Sequence, residues 1–201
     1  MNLPISESVF FASILQLRDF VTIMDLEVLT MKMLTTQISG LLQRIIGNNE
    51  DSIEETARLL AQATTGEGRV VLACFDEMKA VQLVATEGVD KLVGAVSYEL
   101  GMNIGSEDRV WILTRSVDDE EALSLARTLA DEFIPFAAVS SLKAEDNELA
   151  ELATTYISTG LTRGLLPGED GKRIVEPHAM AALFVYEAVK ISYDEMVLEE
   201  F

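Results

Sequence analysis

The chain has one cysteine and one histidine in 201 residues. A lone thiol cannot close an intramolecular disulfide or build a Cys-based zinc finger. A lone imidazole excludes any site that needs two histidines from one chain. Basic residues are also scarce: 15 Lys and Arg stand against 34 Asp and Glu, a formal net charge of −19. Nucleic-acid binding needs a basic face to neutralise phosphates, and none is visible. The same deficit opposes attraction to anionic membranes. Long apolar runs are missing too. The stretch from Val9 to Leu29 is broken by Arg18, Asp19, Asp25 and Glu27, whereas a span needs about 20 mostly apolar residues. Met1 to Phe10 carries Glu7 and no Lys or Arg, unlike the basic start of a secretory signal. These absences point to the reducing cytoplasm. What is present is 49% hydrophobic residues, too many for a disordered acidic chain, in a length that suits roughly one domain.

Residues 1–30 read as an N-terminal extension. They are either an amphipathic helix for a partner or a second copy, or the product of an upstream start, since Met31 and Met33 could each open a chain. Residues 31–201 read as one domain. Leu34, Ile38, Leu41, Leu42, Ile45 and Ile46 fall at helical spacing, and Gly47-Asn48-Asn49 stops that helix. Ser52 with Glu55 forms a capping box for the next. Arg69 to Cys74 is a continuous apolar run, as expected of a strand buried on both faces. A helix over 77–86, a weak strand over 92–96 and a strong strand over 110–113 follow. Next come a helix over 118–133, a strand over 135–139, a short helix over 148–153 and a short strand over 155–157. Pro177 opens a last helix, apolar on more than one face.

This alternation predicts a parallel sheet covered on both faces, a three-layer α/β/α sandwich. Ligands of such sheets bind beyond the carboxyl ends of the strands, at the switch point. That nominates the turns at Cys74–Met78, Thr114–Asp119 and Ser140–Leu142. No dinucleotide fingerprint or P-loop accompanies them. Cys74, at the end of an apolar strand with no basic neighbour in sequence, reads as a buried residue rather than a nucleophile.

The order of pieces resembles sugar isomerase (SIS) domains, with the phosphoheptose isomerase branch closest. The resemblance rests on Ala57 to Ala63 with Gly68-Arg69-Val70-Val71-Leu72, and on Val110 to Ser116 with Glu120 to Leu123. It extends to Ile134 to Ser140 with Asn147 to Ala153, and to Arg173-Ile174-Val175-Glu176-Pro177-His178. Met33 to Ile45 is similar to a small family of uncharacterised bacterial proteins within that superfamily. The resemblance implies a flavodoxin-like parallel sheet with extra N- and C-terminal helices, a phosphorylated sugar as ligand, and assembly as a homodimer or homotetramer.

The resemblance also assigns roles, and the sequence departs from several. A glycine-rich turn after the first strand reads here as Phe75, Asp76 and Glu77, followed by Met78, so two carboxylates stand where glycines approach a phosphate. A hydroxyl-rich turn after the second strong strand reads as Thr114, Arg115 and Ser116. Arg115 could pair with a phosphate or carboxylate of a ligand, or with Asp76 or Glu77. Ser140 and Ser141 could add hydroxyls. His178 stands at the position of a catalytic histidine, and Glu87 is loosely placed like a catalytic glutamate. The partner residues of a metal site are replaced, so no metal ligands are assigned and zinc enters only if isomerase activity survives. Three readings follow: a phosphosugar-binding protein with a degenerate catalytic site, an aldose–ketose isomerase, or an interaction protein with a vestigial pocket.

Overall fold

In a computed structural model, the backbone is described for residues 7–198 except Asp146, and side chains for residues 28–197 with the same exception. Residues before Gly40 form one unit and those from Gly40 onward another. Helix α1 (Glu7–Thr64) passes through Asn49 with non-helical backbone, φ −135°. The stop expected at Gly47-Asn48-Asn49 is therefore a kink. Asn49 is buried, and its amide takes over a ladder position. Its Oδ1 accepts from Ser158 N–H at 3.0 Å, and its Nδ2 donates to the Ser158 carbonyl at 3.0 Å. An exposed sheet edge is thus paired by a side chain.

The sheet contains β1 (Val70–Cys74), β2 (Ala95–Ser97), β3 (Arg109–Leu113), β4 (Phe136–Ser140) and β5 (Thr155–Ser158) in the order β2-β1-β3-β4-β5. All pairings are parallel. Between them run α2 (Lys79–Glu87), α3 (Glu120–Asp131) and α4 (Glu148–Leu152), and α5 (His178–Leu198) closes the fold. Between β5 and α5 the chain forms a small antiparallel ribbon, β6 (Leu166–Pro167) with β7 (Arg173–Ile174).

Alternation along the strands sends side chains to two cores. Val71, Ala73, Val110, Ile112, Phe136 and Ala138 pack with Ala122, Leu125, Ala126 and Leu129 of α3 and Leu149 of α4. The opposite face carries Leu72, Trp111 and Ala137, which share a register row with Thr155. Trp111 stacks on Tyr186 of α5, ring centroids 6.3 Å apart, and the Thr155 hydroxyl bonds Thr56 of α1. Helix layers therefore cover both faces, the three-layer α/β/α sandwich of a flavodoxin-like sheet.

Candidate functional site at the carboxyl edge of the sheet

The strand order changes direction between β1 and β3, so their carboxyl ends open a crevice. Backbone bonds hold the edge together: Phe75 N–H donates to the Leu113 carbonyl at 2.9 Å, and Thr114 N–H to the Val139 carbonyl at 3.1 Å. Ser140, fully buried, donates its hydroxyl to the Arg115 carbonyl at 3.3 Å. The turns carrying Phe75, Arg115 and Ser140 thus share one rim.

A 3-10 turn (Asp76–Met78) precedes α2. Asp76 has φ +49°, in the left-handed region where glycine is at ease and Asp is tolerated. The backbone here is one that glycine adopts freely. Arg115 lies 3.8 Å from the Asp76 carboxylate and 3.6 Å from that of Glu77, with about half of its side chain exposed. Both separations exceed a direct hydrogen bond, so these are loose ion pairs in solvent.

The second turn is more tightly bound internally. The buried Thr114 hydroxyl donates to Asp119 Oδ2 at 3.0 Å. The other oxygen of Asp119 accepts from Glu121 N–H at 3.1 Å and Ala122 N–H at 3.2 Å. Ser116 Oγ accepts from Asp118 N–H at 3.2 Å. The amino end of α3, where free N–H groups could receive an anion, is capped by the chain's own carboxylate. Sequence reasoning does not single out Asp119; its signal is the run of four acids opening the helix.

His178 opens α5, which packs on the 76–78 turn. It is 9% exposed, and its Nε2 lies 3.8 Å from Glu176 Oε2. Burial pushes its proton affinity below the ordinary value, against the pull of Glu77 and Glu176, while Arg115 pushes the same way as burial. The imidazole is therefore neutral at pH 7. Because the unfolded chain binds the proton more readily, stability falls as pH drops through about 6.5. Thermal melts of the wild type between pH 7.5 and 5.5 should show this decline, and H178Q should flatten it. An unchanged slope in the variant would place the titration elsewhere.

The segment that delivers His178 is strained. Val175 has φ +63°, a genuine outlier for a β-branched residue. Its carbonyl accepts from Leu165 N–H at 2.9 Å, and Arg173 donates to the carbonyls of Gly164 and Leu165, fixing the ribbon. Since Val175 is 37% exposed, V175G should remove the strain with little loss of packing. It is expected to stabilise the fold by about 1 kcal/mol and raise Tm by roughly 2–4 °C, read by thermal denaturation.

Other nominated residues lie apart. Glu87 is exposed at the end of α2, which returns to the opposite edge. There Leu92 N–H donates to the Ala85 carbonyl and Val70 N–H to that of Gly94. Glu87 is thus separated from His178 by the length of the sheet. Ser141 is half-buried, and its carbonyl lies 3.5 Å from Ser158 Oγ. Cys74 is buried, which pushes its thiol up to about 12. The donor set does not fit zinc: among the described residues no three His, Cys, Asp or Glu side chains converge on a point.

The fold recurs in solved proteins. The Vibrio vulnificus NanR protein complexed with ManNAc-6P superposes with TM-score 0.60 at 15% identity, covering 83% of this chain and 65% of that one. The sugar isomerase domain of the RpiR transcription factor from Sphaerobacter thermophilus gives 0.58 at 14% identity, covering 85% and 94%. A Bacteroides fragilis protein described as a candidate phosphosugar isomerase involved in capsule formation gives 0.57 at 15% identity, covering 84% and 92%. In sequence, the uncharacterized protein YwjG of Bacillus subtilis (strain 168) is 29% identical over 170 residues, 84% of this chain and 98% of that one. The family model of the domain of unknown function DUF2529 matches residues 30–197. The chain thus shares the α/β sandwich of these proteins and belongs to the DUF2529 family.

Proposed function

We propose that this protein binds a phosphorylated sugar or a closely related carbohydrate derivative without converting it. The observation that carries this reading is Arg115. A half-exposed guanidinium stands at the switch point, held only at 3.6 and 3.8 Å by two carboxylates. An incoming anion competes for it with bidentate geometry. One protein that shares the fold is complexed with ManNAc-6P, which supports a phosphosugar as the ligand class, and another is a transcription factor, a role in binding.

Isomerisation needs a base within hydrogen-bond reach of the transferred proton. His178 is neutral and could accept one, but Glu87 stands at the far edge and no metal donors gather among the described residues. A homodimer or homotetramer, with Met180 and Ile191 on the exposed side of α5 as its apolar contact, and a cytoplasmic location complete the proposal. Among the described residues no helix is long and apolar enough to cross a membrane.

A thermal-shift panel of aldose and ketose phosphates, ManNAc-6P among them, tests it. At least one member is expected to raise Tm by several degrees at millimolar concentration, and R115A should abolish the shift. NMR of the hits, with and without Zn²⁺, should show no ketose–aldose conversion. Conversion that vanishes in H178A would make the protein an isomerase. No stabilisation by any member would leave the second reading, an interaction protein, which one observation favours: Asp119 already fills the anion position of α3.

A further inference from the structure

A second feature lies on the α3 face of the sheet. Parallel strands are usually joined by a crossover that carries a helix. The crossover from β2 to β3, residues 98–108, contains none. It runs as an irregular loop whose Tyr98, Met102 and Ile104 are only partly buried against the core, together with Phe75. Where a covering helix would lie, the surface opens into a cleft of about 1140 Å³. That exceeds the roughly 300–1,000 Å³ of ordinary small-molecule pockets.

The shape of the cleft follows a helix. One wall is α3, with Glu121, Ser124 and Thr128 exposed at one-turn intervals, Glu132 just past its end, and Leu125 and Leu129 below them. Twelve residues make this wall about 18 Å long, room for three turns of another helix alongside. The floor of the cleft sets the partly buried Phe75, Tyr98, Met102 and Ile104 among the polar side chains of Gln82 and Asn103. Charge along the lining is mostly acidic: Asp76, Asp119, Glu120, Glu121 and Glu132 stand with one lining base, Lys79, while Arg115 pairs loosely with Asp76 from outside it.

We infer that this cleft docks a basic amphipathic helix of a partner protein, which supplies the missing cover. An apolar stripe would seat on Phe75, Tyr98 and Met102, with lysines or arginines flanking it towards the rim. At this cleft complementarity favours such a partner over two closer candidates. The segment 7–39 of this chain carries Glu7, Asp19, Asp25 and Glu27 against Arg18 and Lys32, so it is acidic itself. A second copy brings the same net charge of −19.

The probe is a fluorescent 18-residue helical peptide of leucine and lysine with one apolar face. Its control has identical composition, scrambled so that no face forms. Anisotropy with the full-length protein at about 150 mM salt, where surface charge is screened beyond roughly 8 Å, separates docking from bulk attraction. The faced peptide is expected to bind at least tenfold more tightly than the scrambled one. S124R/T128R changes two exposed residues of the wall and should weaken the faced peptide at least tenfold. E50Q/E169Q raises the net charge by the same two units away from the cleft and should leave it within twofold. Equal binding of both peptides, equal losses in both variants, or no binding of the faced peptide would overturn the inference. Sugar-phosphate binding through Arg115 is read separately, so either reading can fail alone.

Discussion

Replacing Asp76 and Glu77 together by glycine is expected to tighten binding of a phosphorylated ligand roughly thirtyfold. The two carboxylates are partly exposed, at 59% and 36% of their side-chain area, so solvent screens them. About 1 kcal/mol of repulsion from each toward a phosphate survives that screening. The sum of about 2 kcal/mol corresponds to the stated factor. The change also frees Arg115 from both of its loose partners. The backbone tolerates it, because residue 76 already sits at φ +49°, where glycine is unstrained. Titration calorimetry with ManNAc-6P or inorganic phosphate reads the effect, and R115A in the glycine background should erase it. Unchanged or weaker binding in the double variant would mean that Arg115 does not receive the anion, and the ligand reading would go with it.

The element order is legible in the sequence because strands buried on both faces leave uninterrupted apolar runs, such as Val70 to Cys74 and Val110 to Leu113. Boundaries move where short-range bonds decide them. The helix expected from Glu77 begins at Lys79 after a 3-10 turn, and the strand expected over 92–96 is Ala95–Ser97, because register with Val70 to Leu72 selects those residues. The kink at Asn49 is hidden for another reason. Its partner Ser158 is 109 positions away, and no local pattern announces an amide that completes a ladder. At the site, the sequence brings out the three turns on one rim and leaves two pairings of Arg115 open. The structure gives the internal one, with room for exchange. Glu87 rests on loose likeness alone, and a nine-residue helix carries it to the wrong edge. Asp119 is one of four consecutive acids, Asp118 to Glu121, yet its position as N-cap makes it the residue that fills the anion cradle. A charge count cannot tell a cap from its neighbours; only the bonds to Glu121, Ala122 and Thr114 do.

Removing the Asp108 carboxylate is expected to cause the largest loss of stability, and the reason lies at the amino edge of the sheet, opposite the site. Asp108 is 1% exposed. Its Oδ1 accepts from Arg69 N–H at 2.8 Å and Arg69 Nε at 3.1 Å, and its Oδ2 from Gly105 N–H at 2.9 Å and the Arg69 guanidinium at 2.6 Å. One carboxylate thereby pins the start of β1 to the start of β3. The two chains approach so closely that a Cβ at Gly68 would lie 1.9 Å from the Glu107 carbonyl oxygen. The Arg69 guanidinium and the two backbone donors hold the Asp108 carboxyl down to about 2, from 3.8. That difference corresponds to about 2.5 kcal/mol at neutral pH. D108A also strands two backbone N–H groups, while Arg69, 42% exposed, can turn to water. A loss of about 3 kcal/mol and a fall in Tm of roughly 6–12 °C follow, measured by denaturant and thermal unfolding at pH 7. D108N, which keeps one acceptor, should lose about half as much. Because the folded-state affinity for the proton is depressed, the contribution is fully present above about pH 4 and fades as pH falls toward 2. The gap between wild type and D108A should therefore close over that interval. A gap below about 1 kcal/mol at pH 7, or one that persists unchanged to about pH 2, would show that Asp108 does not clasp the two strands.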